Sequence, residues 1–224
     1  GQDKMNLLHD LSQAVNLEPE HLSCYMLTCE SGTPLSRDVK TGRIRWATEG
    51  MILELFNAAI DFLSAHSFLH YEVSNFARIA RPHHEPRTSR HNLKYWTFAP
   101  YIGLGPSAHS FIEPERYWNH RSLATYLRQI EDGKSAMAEK ESLTKTQMTI
   151  EAIYLGLRTT WGINLAEFQT KSGINFANAF SRPIAELENQ GMIEISEEHC
   201  VLTRKGLLLT DSIASMFICH EMGG

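Results

Sequence analysis

The chain has 224 residues, 42% hydrophobic and 21% charged, with a formal net charge of −5. That composition is globular, enough for one large domain or two small ones, and excludes wholesale disorder and fibrous repeats. The acidic balance argues against a general nucleic-acid binder, and no apolar run approaches the roughly 20 residues that span a bilayer. Four cysteines, at 24, 29, 200 and 219, are too scattered for a disulfide framework. With no signal-peptide pattern over the first four residues, the expected setting is reducing and cytoplasmic.

Leu7, Leu8, Leu11 and Val15 follow helical spacing and predict an amphipathic helix over 4–16. After Pro19, residues 21–28 read as a buried strand. Met51, Ile52, Leu55, Phe56, Ala59, Ile60 and Leu63 form one wide apolar stripe and predict a second helix. Residues 68–74 read as a second strand. Helix, strand, helix, strand predicts βα units around a parallel sheet. Two strands cannot close such a sheet, so the chain reads as the rear of something larger. Residues 77–100 read as a long loop, and Tyr101-Ile102-Gly103-Leu104-Gly105 as a strand whose glycines allow close approach.

Beyond residue 112, Leu123/Tyr126/Leu127/Ile130 and Met148/Ile153/Leu157 predict two helices, the second behind a Thr144-x-x-Gln147 capping box. Asn164 caps a short helix through Lys171, and another spans 183–189, stopped by Gly191. Residues 192–196 and 199–202 read as a hairpin. Thr203 caps a last helix carrying Leu207, Leu208, Ile213 and Phe217. Helices, a hairpin and a helix, in that order, predict a winged-helix-like module. From 141 to 224 six Lys/Arg face ten Asp/Glu, a balance that phosphate would repel, so a packing or substrate-covering role is expected and DNA is not. The stripes 123–130 and 207–217 read as core.

Chemistry-bearing residues concentrate in three strings: Tyr71-Glu72-Val73-Ser74-Asn75-Phe76-Ala77, His91-Asn92-Leu93-Lys94-Tyr95-Trp96, and Tyr101 through Ser110. In this order they resemble the radical S-adenosylmethionine family of oxygen-independent coproporphyrinogen oxidases, in particular its haem-chaperone branch. Glu30-Ser31-Gly32-Thr33-Pro34 upstream and Leu202-Thr203-x-x-Gly206 downstream are similar to that family too. The resemblance implies an α/β fold: the C-terminal part of a partial TIM-type (β/α) barrel over 1–111, then a winged-helix-like α+β domain over 112–224. It implies a [4Fe–4S] cluster and S-adenosylmethionine in the whole protein. The family's C-x-x-x-C-x-x-C triplet does not occur in this sequence, so the expectation is a C-terminal fragment whose cluster loop lies upstream.

The resemblance places Thr28, at the first strand's end, and His109 where the family contacts S-adenosylmethionine, at the C-terminal ends of barrel strands. His91 is the candidate haem ligand, with Tyr95 and Trp96 covering a porphyrin face. The other reading of this string has His91 and Asn92 pinning the loop while Tyr95 and Trp96 pack. Glu72, on an apolar strand, either holds a proton or cofactor or anchors Asn75 or the loop after 81. His83 and His84 beside Glu85 lack a third ligand of diagnostic spacing and read as solvated loop. The implied function is haem binding and transfer to acceptor proteins, with a homodimer left open. The alternative is oxidative decarboxylation of coproporphyrinogen III, in which the cofactor does the radical chemistry.

Overall fold

Asp3 accepts the Asn6 backbone N–H at 2.8 Å and so caps the first helix, α1 (Lys4–Asn16). The computed structural model describes residues 1–79 and 85–221, and divides the chain into two compact units, 1–89 and 90–224. The first unit continues with β1 (His21–Ser23), α2 (Pro34–Lys40), α3 (Glu49–Ala65), β2 (Phe68–Glu72) and β3 (Asn75–Arg78). Leu11 of α1 and Ala59, Ile60 and Leu63 of α3 bury against Phe68 and Phe76, with Leu7, Val15 and Phe56 at the margin. The apolar stripes read from the sequence are thus the core faces, and their burial drives the unit together.

The sheet differs from expectation. Its order is β1-β3-β2, and both neighbours pair antiparallel with β3. β1 and β2 therefore run in the same direction, as a βα repeat requires, but they do not touch. Val73-Ser74 turns the chain sharply, so that β3 folds back and takes the place between them. The first strand also stops at Ser23, well short of Thr28.

The second unit opens with a helix, α4 (Arg90–Trp96), inside what reads as a loop. It continues with β4 (His109–Ile112), β5 (Glu115–Asn119), α5 (Leu123–Glu131) and β6 (Met137–Ser142). These strands form an antiparallel sheet in the order β4-β5-β6, and β6 is exposed at every residue. Tyr101 bridges Phe111 of β4, and the expected strand over 101–105 is otherwise irregular. This pairing joins 101–112 to β5.

Next come α6 (Lys145–Gly156), β7 (Ile163–Asn164), α7 (Leu165–Ser172), α8 (Phe176–Ala179), α9 (Ser181–Asn189), β8 (Ile193–Ile195), β9 (His199–Leu202), α10 (Arg204–Leu207) and α11 (Thr210–Glu221). The sheet order β7-β9-β8, with one helix before β7 and helices between β7 and β8, is that of a winged helix. The capping box at Thr144 and Gln147, and the caps Asn164 and Thr203, all form. Phe176 sits among Phe168, Phe180 and Phe217, with ring centroids 4.8–5.4 Å apart. Leu207, Ile213 and Phe217 are core as expected. Leu123, Leu127 and Ile130 are not: all three stand exposed, at 46–59% of their full surface. Periodicity revealed the helix, but its apolar stripe is left facing outward.

Candidate functional site

The YEVSNFA string builds the floor of the first unit's sheet. Tyr71 is fully buried, and its hydroxyl lies 2.8 Å from His21 Nε2 and accepts the Ser89 backbone N–H at 3.2 Å. Burial raises the Tyr71 hydroxyl above its ordinary value and lowers His21 below 6.5. Asn75, also buried, accepts the Ser23 hydroxyl through Oδ1. Glu72 is buried at the end of β2, stands opposite Asn75 in the ladder, and its Oε2 receives the Ser74 N–H at 3.5 Å. Tyr71 thus anchors the segment before residue 90 through the Ser89 backbone. Sequence reading missed it because a tyrosine on an apolar strand carries no signal of its hydroxyl's partner.

Thr28 lies exposed in irregular chain after β1, which corrects its expected place at a strand end. His109 stands at the N-terminal end of its strand, where the C-terminal end is expected. It is the first residue of β4, in an antiparallel hairpin, exposed, with its ring stacked on Trp118 at 5.4 Å. His83 and His84 lie outside the described residues.

In the second unit, α4 arranges its string by helical geometry. His91 and Tyr95 are four apart and share one face. The His91 ring is exposed and meets Tyr95 edge-on at 5.1 Å, and Tyr95 meets Tyr101 edge-on at 4.6 Å. Trp96 turns elsewhere, packing under Arg158 with the guanidinium carbon 5.8 Å from its ring. Tyr95 and Trp96 therefore do not cover one face together; Tyr101 takes Trp96's expected place beside Tyr95. His91 and Asn92 thus sit on a helix where the sequence reads a loop.

Tyr101 is followed by a tightly pinned turn. A side chain on Gly103 would place its Cβ 2.1 Å from the His109 carbonyl oxygen, so only glycine fits. Gly103 N–H donates to Ser110 Oγ at 2.9 Å, and Asn119 Nδ2 donates to Gly105 O at 2.9 Å. Beneath the turn Arg116 grips Glu151 through both carboxylate oxygens, at 2.9 and 2.5 Å, and also lies against the Phe111 ring. Burial raises the Tyr101 hydroxyl above its ordinary range, with the nearby Arg116 charge opposing.

Burial raises the Cys24 thiol and pushes Cys200 up to about 12. Among the described residues no three of His, Cys, Asp or Glu converge as a metal site, and no helix is long and apolar enough to cross a membrane.

Fold and motif strings together resemble part of a radical S-adenosylmethionine fold followed by a winged-helix-like module. Residues 143–209 match the HemN C-terminal domain family. The heme chaperone HemW of Bacillus subtilis is 29% identical over 218 residues, covering 97% of this chain and 56% of that protein. HemW of Mycobacterium tuberculosis H37Rv is 30% identical over 95% of this chain and 51% of its own length. Radical S-adenosyl methionine domain-containing protein 1 of Danio rerio is 28% identical over 87% of the chain. The Escherichia coli coproporphyrinogen III oxidase HemN, described as a radical SAM enzyme, superposes with a TM-score of 0.71 over 96% of this chain and 52% of its own, at 19% identity. That likeness shows the fold. Residues 143–209 are a HemN C-terminal domain, and the chain as a whole is similar to HemW and coproporphyrinogen-oxidase-like proteins. It spans about half the length of the curated relatives it matches.

Proposed function

We propose that this protein handles haem, binding it and passing it to acceptor proteins as the name of its HemW relatives describes. The observation that carries the reading is the exposed His91 ring, set edge-on to Tyr95 at the head of a helix with Tyr101 behind. An imidazole nitrogen on an accessible ring is a good axial donor to haem iron. Tyr95 and Tyr101 supply flat apolar surface for the porphyrin. Transfer then needs only exchange of the axial ligand at iron, His91 leaving as an acceptor's donor arrives, with no net electron transfer. No step here uses a cluster or S-adenosylmethionine.

The test is a haem titration of the chain beside a His91→Ala variant. We expect the variant to lose haem affinity roughly tenfold or more, with a shifted Soret band. Unchanged affinity and spectrum in the variant would remove His91 as ligand. Complementation of a strain lacking the oxygen-independent oxidase separates the alternative enzymatic reading, since a chaperone does not restore coproporphyrinogen decarboxylation.

A further inference from the structure

Trp96 presents a problem of orientation. Its indole Nε1 is buried and has no hydrogen-bond partner, a state that ordinarily costs about 1–3 kcal/mol. Nothing polar therefore fixes the ring's rotation. What the ring does have is a cation over its face, the Arg158 guanidinium. Arg158 lies just past α6 and is held on two further sides. Its carbon lies 4.3 Å from the Tyr154 ring centroid, and its Nη2 is 2.6 Å from Asp211 Oδ1, an oxygen that also accepts the Tyr154 hydroxyl at 2.9 Å. The arginine side chain is 17% exposed and the aspartate 69%, so the ion pair itself adds little to stability. Its use is geometric: a planar guanidinium tied at one edge presents a fixed flat face.

We infer that Arg158 is a positioning residue for the haem-handling helix α4, acting through Trp96. The inference rests on the haem reading above. α4 is seven residues long, too short to hold its own axis or rotation, so packing sets both. Trp96 follows Tyr95 directly and lies five residues from His91. A rotation of α4 that frees Trp96 swings His91 and Tyr95 off the Tyr101 side. Arg158 therefore joins the haem-facing residues to the HemN C-terminal domain, in which it stands.

The experiment uses the full chain with Arg158→Met, Arg158→Lys and Asp211→Asn, and Trp96→Phe to isolate the share of Trp96 in the emission of the four tryptophans. In Arg158→Met we expect the Trp96 emission to shift and haem to dissociate about fivefold faster, in line with a cation–π contact. Arg158→Lys restores the charge without the flat face and recovers part of both changes. Asp211→Asn gives a smaller change of the same sign. Urea unfolding checks that each variant is folded; should Arg158→Met fail to fold, Arg158→Lys carries the same two measurements. A folded Arg158→Met whose haem dissociation stays within twofold of wild type overturns the inference, even if Trp96 emission moves. If the wild-type chain binds no haem, the haem reading fails, and unchanged Trp96 emission in Arg158→Met then overturns the positioning role separately.

Discussion

Tyr71, Glu72 and Asn75 in the first unit lie almost wholly out of solvent, while His91 in the second stands in it and Tyr95 and Tyr101 lie half-buried beside it. Both clusters come from strings that look equally rich in chemistry, and burial separates their roles. A polar group inside must be hydrogen-bonded or it destabilises the fold. Accordingly, the Tyr71 hydroxyl serves His21 and Ser89, and Asn75 serves Ser23. Such groups are committed to architecture. An exposed imidazole carries no such obligation and can exchange water for a ligand at little cost to stability. The first cluster builds the sheet; the second keeps its imidazole in solvent.

The largest effect expected from this contrast is in Tyr71→Ala. Removing the ring and its hydroxyl costs about 3–5 kcal/mol in urea unfolding, and Tyr71→Phe costs about 1–2 kcal/mol by leaving buried partners unmet. A Tyr71→Ala loss below about 1 kcal/mol would break the comparison on its first side. A smaller effect concerns pH. Burial holds His21 below its ordinary 6.5 in the folded protein, so the unfolded chain takes up the proton first. Its contribution is present above pH 6.5 and declines as pH falls through the folded value. Unfolding midpoints at pH 7 and pH 5 should therefore lie closer together in His21→Gln than in wild type, other groups being common to both. Equal spacing would show that His21 is not part of the buried set. The smallest effect is His91→Ala, expected to change stability by no more than about 0.5 kcal/mol while altering haem affinity. A loss above about 1.5 kcal/mol would make His91 structural and erase the contrast.

Where local chemistry dictates structure, the sequence told it well. The stripe from Met51 to Leu63 became the core face of α3, and Thr144, Asn164 and Thr203 cap the helices they precede. α4 escaped notice because Arg90 through Trp96 has no apolar stripe; the helix is stabilised by packing on α6, which no local pattern encodes. The β4-β5-β6 sheet was hidden for a related reason, since β6 buries nothing and so shows no alternation. For the site, His91 and Tyr95 were legible as residues. Their shared face became visible only with the helix, and Tyr101 replaced Trp96 through a contact between separate segments. Arg158 and the Arg116–Glu151 pair lie 62 and 35 positions from their partners Trp96 and Glu151 respectively, beyond any spacing rule.

One last feature is β6, open to water along its whole length at the edge of its sheet. A strand at a sheet edge can template the addition of a strand from a neighbouring molecule. The middle of the strand reads Glu139-Lys140-Glu141. Charges carried there, with Lys140 already paired to Glu115 at 3.0 Å, make such lateral growth unfavourable and guard the protein against fibre formation at this margin.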